Sequence, residues 1–320
     1  MITRKSVGIA AAVLLAALHA GGAGAAGFPQ KRIHMTILFG AGAGADLLGR
    51  KLADMVAKDL GQNVVCTNRL GGGGAVGYQY VLNTPADGYN ICWNSTSINV
   101  VHHQGNIKQD YSAFDGVANL TKEASVLAVR SDAPWKSFQE FAEYARANPN
   151  TATIANSGVG SFNHLIAAAI EGQAGIKVKH IPLNANESTV ALLGGKVDAI
   201  VNMAMDVITQ QEAGALRALV VVGDGPLEKL PGVPTMKDLG YDLALMMWRG
   251  ITVPKGTPRE VVKILEAAFI KAAETREFKE FGDKYGVIID TMDAEAFDRL
   301  MADSDVIVAD IMEKLGIKKQ

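Results

Sequence analysis

The chain contains little cysteine, few aromatic residues and no excess of basic charge. Only two of its 320 residues are cysteine, 6% are aromatic, and 31 Lys and Arg residues are set against 33 Asp and Glu, for a formal net charge of −2. A nucleic-acid-binding protein needs a basic patch, so this composition argues against nucleic acid as a partner. No apolar run beyond the first 20 residues is long and charge-free enough to predict a membrane span.

The sequence also lacks the usual signatures of hydrolases and metal sites. There is no Gly-x-Ser-x-Gly elbow, because the stretch from Gly158 to Ser161 is offset from that pattern, and no HExxH or Cys/His cluster with metal-ligand spacing is present. His164 lies near Ser161 and is the candidate base of an exported enzyme acting on a small carboxylate. A packing or hydrogen-bonding histidine is the simpler interpretation, so we expect no catalytic residue, metal or cofactor.

The N-terminus has the layout of a secretory signal peptide. Arg4 and Lys5 precede an apolar run from Val7 to Ala20, and small residues follow as far as Gly27. A charged region, an apolar region and an Ala-x-Ala-like site define a cleaved signal, and the apolar run is short for a membrane anchor. We therefore predict residues 1–26 to be a signal peptide and the mature protein to be periplasmic.

The two cysteines, Cys66 and Cys92, both lie in strand-like runs of the predicted mature protein. An oxidising compartment favours a disulfide between such a pair. If the first strand lies between their two strands, however, they are about 9–10 Å apart, which is beyond the reach of a disulfide. We therefore expect two free thiols.

Strands and helices alternate along most of the chain, which predicts an α/β fold. One β-α-β-α-β unit begins at Ile33, and a second set begins near Thr153. Each has a small-residue loop after its first strand. We expect two lobes, each with a parallel-rich sheet, and a central ligand cleft. Residues 27–126 with 251–320 would form lobe 1 and residues 127–250 lobe 2, so that the chain crosses near Val126 and Trp248.

The loop after the first strand is the most informative segment. Phe39 to Asp46 joins an apolar strand to an amphipathic helix, and glycines at such a junction let the backbone approach an anion at the helix N-terminus. Gly40-x-Gly42-x-x-Ala45 matches a dinucleotide fingerprint, which is a weak signal alone. The expected acidic residue about 20 positions on is replaced by Asn68-Arg69, which leaves an NADP enzyme as a remote alternative.

Loops at the carboxyl ends of the other strands also carry hydroxyl and amide groups. Ligands of open parallel sheets lie at that edge, and neutral donors there suit a carboxylate. Each Ser or Asn also has the alternative interpretation of a helix cap. We predict that a carboxylate is bound by residues of four loops: Gly40, Ala41, Gly42, Ala43, Gly44, Asp46, Ser95, Thr96, Ser97, Ser157, Gly158, Ser161, Asn163 and Asn202.

A series of short motifs resembles the Bug-type extracytoplasmic solute-binding proteins of tripartite tricarboxylate transporters. Each motif is loose alone, but their order and spacing extend over nearly the whole predicted mature chain. The motifs are Phe28 to Ile33, Phe39 to Asp46 with Arg50, Asn68 to Gly74 with Gly77, Pro85 to Tyr89, Ser157 to Leu165, His180 to Pro182, Leu192 to Asp198, Leu230 to Thr235, Trp248-x-Gly250 and Pro254 to Pro258.

The resemblance implies a type II periplasmic binding fold and capture of a small mono-, di- or tricarboxylate without catalysis. It also implies delivery to a two-subunit membrane permease, and it places Asp206 near the cleft. We expect a monomer. Three departures, Ala43 and Ala45 in the first loop and Leu183-Asn184-Ala185 after His180-x-Pro182, remove a hydroxyl and a positive charge from the expected pocket. They favour a ligand less charged than citrate.

Asp46 has two possible roles. It can cap its own helix by accepting from backbone N–H groups one turn on, or it can accept an ammonium or hydroxyl group of the ligand. We expect the cap.

Overall fold

The computed structural model describes residues 27–316 and has two lobes, each built on its own sheet. The predicted signal peptide, residues 1–26, lies outside the described residues. Within residues 27–316, no helix is long and apolar enough to cross a membrane.

Lobe 1 is built on a six-stranded sheet with the order β11-β4-β10-β3-β1-β2. Its central strands are apolar on both faces because helices cover both sides. The strands are β1 Ile33–Ile37, β2 Val64–Asn68, β3 Asn90–Ser95, β4 Phe114–Glu123, β10 Met247–Pro254 and β11 Ile288–Met292. The helices are α1 Gly44–Leu60, α2 Ala75–Leu82, α3 Ser97–His103, α8 Arg259–Glu274, α9 Arg276–Tyr285 and α10 Ala294–Lys314.

Lobe 2 is built on a five-stranded sheet with the order β7-β6-β8-β5-β9. Its strands are β5 Ser125–Arg130, β6 Thr153–Asn156, β7 Lys179–Pro182, β8 Ala199–Met203 and β9 Leu216–Val222. Its helices are α4 Phe138–Ala147, α5 Phe162–Ala174, α6 Ala185–Leu193 and α7 Ala204–Glu212.

Most strands of each sheet point the same way, as the alternating pattern predicts. In lobe 1, β2, β1 and β3 are parallel, and β4 shares their direction because β10 is antiparallel to both β3 and β4. In lobe 2, β7, β6, β8 and β9 share one direction and β5 opposes them. The carboxyl ends of β1, β3, β6 and β8 consequently point toward the region between the lobes, where α1, α3, α5 and α7 begin.

The chain passes between the two sheets twice. β4 ends at Glu123 in lobe 1 and β5 begins at Ser125 in lobe 2, so the first crossing is Ala124. The return crossing lies between β9 and β10. Residues 125–126 and 247–250 therefore belong to the sheet of the other lobe from the one expected.

Several elements of lobe 1 differ from the sequence interpretation. The alternating pattern does not predict β4, β11 or the short helix α3. The apolar periodicity from Pro258 to Lys279 predicts one helix, but the structure has two helices in this region. The break is at Thr275, which has extended backbone and caps α9 by accepting a hydrogen bond from the Phe278 N–H. A Ser or Thr cap inside a continuous apolar pattern is difficult to recognise from periodicity alone.

α10 packs on both lobes. Phe297 and Met301, in its first half, lie in an apolar cluster of lobe 1 with Trp248. Val308 and Met312, in its second half, lie in the main apolar core of lobe 2. The Trp248 indole N–H also donates to the Ser304 hydroxyl at 2.9 Å, which fixes the middle of the helix.

Both cysteines are free thiols, as expected. β1 lies between their strands, with Met35 opposite Cys66 and Thr36 opposite Cys92. Burial raises the pKa of the Cys66 thiol to about 11, so it is protonated at neutral pH and a poor nucleophile.

Candidate ligand-binding cleft

A small cavity lies between the lobes where the carboxyl ends of the two sheets meet. The space in it that the centre of a water molecule can occupy is about 30 Å³. The cavity is narrow, and the two lobes lie close together around it. The lining residues are Phe39, Ala43, Ala45, Ser97, Ser157, Ser161, Phe162, Asn163, Ala185, Met203, Asp206, Met247 and Arg249.

The N-terminal ends of α1 and α5, from opposite lobes, meet at this cavity. Ala43 and Ala45 line it from lobe 1, and Ser161 and Asn163 line it from lobe 2. The first N–H groups of a helix have no partner within the helix and carry the positive end of its dipole. The site therefore presents backbone donors and positive potential from two directions, which suits an anion.

The Asp46 side chain fixes the conformation of the loop that precedes α1. Its carboxylate accepts from the Gly42 N–H at 2.9 Å, from the Arg50 Nε at 2.8 Å and from the Asn68 Nδ2 at 2.8 Å. Burial favours the neutral carboxyl group, but the hydrogen bonds from Arg50, Gly42 and Asn68 outweigh it and lower the pKa of Asp46. The expected helix cap is wrong: Ala43 is the N-cap residue, without a side-chain hydrogen bond, and Asp46 reaches back to the loop.

We expect Asp46→Asn to lower the free energy of unfolding by about 1.5–3 kcal/mol, the usual value of hydrogen bonds to a charged group. The amide presents a donor to the Gly42 N–H, so that contact is lost. Because its pKa is lowered on folding, Asp46 stabilises the protein above pH 3.8 and less so as the pH falls through its folded value. Urea denaturation measures the difference.

Asp54→Asn is the matched control, since Asp54 is an exposed residue of the same helix. It should change the free energy of unfolding by less than about 0.5 kcal/mol. Equal effects of the two substitutions, or an altered ligand ranking in Asp46→Asn alone, would contradict the bracing role.

Within residues 27–316, three hydrogen bonds join the lobes around the cavity. The Gly44 N–H donates to Asp206 Oδ1 at 3.0 Å, and the Phe162 N–H donates to the Ser97 hydroxyl at 3.3 Å. Asn186 Nδ2 donates to the Ala41 carbonyl oxygen at 2.8 Å. All three involve the predicted loops, so the same segments close the cleft and line it.

A close backbone contact between two glycines completes the closed arrangement. A Cβ atom on Gly73, which follows β2, would lie 2.4 Å from the carbonyl carbon of Gly160 in the loop before α5. The φ angles of Gly73 and Gly160 are +68° and +82°, in the left-handed region. Only glycine allows the two loops to approach this closely.

A buried ion pair at the cavity was missed by the sequence interpretation. Arg249 Nε donates to Glu123 Oε1 at 2.9 Å, and the two side chains are 2% and 1% exposed. Arg249 lines the cavity, whereas its Nη1 atom and Glu123 Oε2 are buried without a hydrogen-bond partner. The sequence does carry one sign of this pair, which is a single arginine within the mostly apolar strand from Met247 to Pro254.

Asp206 adds a third charged group. Its side chain lines the cavity, and burial raises the pKa of Asp206 to about 6, with Glu123 acting in the same direction and Gly44 and Arg249 opposing it. The Asp206 carboxyl group is therefore mostly ionised at neutral pH but takes up a proton under mildly acidic conditions.

The predicted site residues divide into three groups. Ala43, Ser97, Ser157, Ser161, Asn163 and Asp206 line the cavity. Gly40, Ser157 and Gly158 line an adjoining surface depression with Gly71 to Gly74. The remaining residues do not line the cavity. Gly42 and Asp46 bind one another in the first loop, Ala41 and Gly44 contact Asn186 and Asp206 of lobe 2, Ser95 and Thr96 hold the end of β3, and Asn202 holds the start of α6.

His164 has the features of a structural side chain. Its Nδ1 atom accepts from the Gly160 N–H at 3.3 Å, and its ring packs edge-on against His180 with centroids 5.4 Å apart. Burial, aided by His180, lowers the pKa of His164 to about 4, so the ring is neutral near pH 7. Arg69, the candidate contact for an NADP phosphate, lies instead over the Tyr80 ring, 3.3 Å from its centroid.

Residues 48–317 match the sequence profile of the tripartite tricarboxylate transporter family receptor. A Cupriavidus necator protein, described as the UPF0065 protein in the gbd 5′ region, is 32% identical over 99% of this chain and 98% of its own length.

Solved structures with the same architecture include the periplasmic binding protein BugD. It has a TM-score of 0.87 and 26% identity, over 92% of this chain and 100% of its own. A Rhodopseudomonas palustris protein, MatC, solved with bound malate, has a TM-score of 0.85 at 22% identity, over 89% of this chain and 99% of its own. The two-lobed periplasmic binding fold expected from the sequence is thus confirmed.

Proposed function

Because the chain belongs to the tripartite tricarboxylate transporter receptor family, we propose that it captures a small carboxylate between its lobes for uptake across the membrane. The observation that carries this proposal is the convergence of α1 and α5 on one cavity. Ala45 and Asn163, at the two helix ends, place backbone donors where a carboxylate would be enclosed on closure.

The selectivity of ligand binding would come from closure of the lobes. Gly44, Ser97 and Ala41 contact the opposite lobe in this closed arrangement, and opening of the cleft would break these contacts. A carboxylate that bridges the two helix ends binds the closed form more tightly than the open one, which shifts the population toward closure. The lobes would rotate about the crossings at Ala124 and between β9 and β10.

The proposed partners follow from the family. A receptor of this type acts with a membrane permease, here of two subunits, and would act as a monomer in the periplasm after removal of residues 1–26. Cofactors and catalysis have no part in this proposal. MatC shares the fold and was solved with malate, which supports a carboxylate as the class of ligand without naming it.

A melting-shift panel of mono-, di- and tricarboxylates tests this function. We expect at least one carboxylate to stabilise the protein by about 2.7 kcal/mol at 100 times its dissociation constant, because a ligand that binds only the folded state stabilises it by mass action. The corresponding amides, equal in size but uncharged, are the control. Small-angle scattering should show a more compact particle with the same ligand.

Two results would contradict the proposal. One is the absence of a melting shift with every carboxylate in the panel. The other is chemical turnover of the bound carboxylate, which would favour the exported enzyme in which His164 acts as a base.

A further inference from the structure

The charged groups at the cleft carry a net negative charge before any ligand is bound. Arg249 Nε donates to Glu123 Oε1 at 2.9 Å, and the two side chains are 2% and 1% exposed. Asp206 lines the cavity beside Arg249 and brings a second carboxyl group to the same place. This arginine is therefore shared between two carboxyl groups, and a bound carboxylate would add a third. Negative charges that share a desolvated site disfavour one another strongly.

Asp206 belongs to lobe 2 but is enclosed by lobe 1. It lies in the first turn of α7, and its Oδ1 atom accepts from the Gly44 N–H, at the start of α1 in the other lobe, at 3.0 Å. Glu123 and Arg249, which act on its pKa, also belong to strands of lobe 1. Opening of the cleft would move α7 away from α1 and let water reach the carboxyl group. The surroundings of Asp206 therefore change when the lobes close.

Other charged groups near α7 are directed elsewhere. On α1, Asp46 is occupied by three donors of its own lobe. Of the lobe 2 strands under α7, β8 has no charged residue, and β5 and β9 carry Arg130 and Arg217 at the ends remote from the cleft. The charged side chains of α9, which packs on α7, are all exposed. Asp206 thus responds to the ion pair of Glu123 with Arg249 and to lobe closure.

Resting on the proposed function, we propose that the cleft binds a proton together with the carboxylate, and that Asp206 holds this proton in the closed form. A protonated carboxyl group still accepts from the Gly44 N–H and gains an O–H group, which can donate to the carboxylate of the ligand. With Asp206 neutral and Glu123 paired with Arg249, the ligand is the one net negative charge left, and it faces two helix N-termini. The proton comes from solvent on closure and returns there on opening.

Closure and proton uptake are linked through the pKa of Asp206. Its ordinary value is 3.8, which we expect in the open form, and burial raises it to about 6 in the closed form. The closed form therefore binds more protons than the open form at mildly acidic pH, so lowering the pH favours closure. Between pH 7.5 and pH 5, this linkage should raise the affinity for an anion about tenfold.

Isothermal titration measures the linkage directly. The probes are propionate, succinate and malate, replaced by the member of the carboxylate panel with the largest melting shift if none of them binds. Binding at pH 6 in two buffers of different ionisation enthalpy counts the protons taken up, because the buffer supplies them. We expect Asp206 to take up about half a proton per bound probe at pH 6 and almost none at pH 7.5.

Two variants isolate the contribution of Asp206. Asp206→Asn keeps an oxygen for the Gly44 N–H and imitates the protonated form, so it should bind the same probe about tenfold or more tightly than the wild type at pH 7.5. It should also lose the extra proton at pH 6, whereas protons bound by the probe or by histidines remain in both proteins. Asp54→Asn, at an exposed position of α1, should keep the pH dependence of the wild type.

The outcomes distinguish the two proposals. If no carboxylate of the panel binds, the proposed function fails and this inference fails with it. If carboxylates bind but the wild type and Asp206→Asn take up equal numbers of protons at pH 6, only the proton site is overturned. Weaker binding by Asp206→Asn at pH 7.5 would likewise overturn it, because the ionised carboxylate would then assist binding. The two-buffer measurement on the wild type stands alone, and binding without proton uptake at pH 6 would overturn the proton site whether or not the variant folds.

Discussion

We expect Gly73→Ala to lower ligand affinity about 10- to 100-fold while leaving the fold of each lobe intact. The added Cβ atom would lie 2.4 Å from the Gly160 carbonyl carbon and 2.7 Å from the Ser161 nitrogen, both in the backbone of the other lobe. Overpacking of this kind costs about 1–3 kcal/mol, and every 1.4 kcal/mol is a tenfold change in affinity. Opening of the cleft would separate these two loops. The substitution should therefore raise the free energy of the closed form relative to the open form.

Gly61→Ala provides the control for backbone strain. The φ angle of Gly61 is +64°, close to the +68° of Gly73, but nothing lies within 4 Å of a Cβ atom placed there. Both substitutions thus carry the cost of a left-handed alanine, and only Gly73→Ala adds the contact between lobes.

Titration with the carboxylate that gives the largest melting shift measures the affinities, and circular dichroism checks the fold. Small-angle scattering should find Gly73→Ala extended even at ligand concentrations that close the wild type. Equal affinities for Gly73→Ala and Gly61→Ala would show that the two glycine loops do not meet in the bound state.

The second large effect is on stability. We expect Glu123→Gln to lower the free energy of unfolding by about 3–5 kcal/mol, because it removes the carboxylate that is hydrogen-bonded to the buried Arg249 guanidinium. The side chains of this pair are 1% and 2% exposed, so solvent cannot replace the lost carboxylate. Urea denaturation at pH 7.5 gives the value.

An exposed pair on α10 is the matched control. Arg299 Nη1 lies 2.6 Å from Glu295 Oε1, but these side chains are 64% and 76% exposed. Glu295→Gln should cost less than about 0.5 kcal/mol. The double variant Glu123→Leu with Arg249→Met should recover most of the stability, since it removes both buried charges. A cost for Glu123→Gln no greater than that for Glu295→Gln would contradict the account.

The lobes, the core strands and most helices could be predicted because they depend on local periodicity and on start and stop signals. The local sequence pattern predicts helices over Phe138–Ala147 and Phe162–Ala174, which are the bounds observed, and the glycines after β1 predict the start of a helix. β4 and β11 were missed because their partners are distant in sequence. β4 pairs with β10, more than 100 residues later, and no local pattern records that pairing.

The site was predicted in part, and its errors share one cause. Ser157, Ser161 and Asn163 were identified because they follow a strand that ends at the cleft, and all three line the cavity. Asn202 also ends a strand, but its amide binds the Ala185 carbonyl oxygen and the Ser188 hydroxyl instead. Arg249 was missed because it lies within a strand rather than after one. The sequence interpretation considered the loops that follow strands, so it identified residues at the edge of the sheet. It missed a charged residue that reaches the cavity from inside a strand.

α10 limits how the protein can open. Its first half is anchored in lobe 1 through Phe297 and its second half in lobe 2 through Val308, and a helix of 21 residues does not stretch. Separation of the lobes along a straight line would pull one half out of its core. The remaining freedom is rotation of one lobe relative to the other about an axis near α10. An opened form should therefore keep both halves of α10 packed and differ from the closed form mainly in the angle between the lobes.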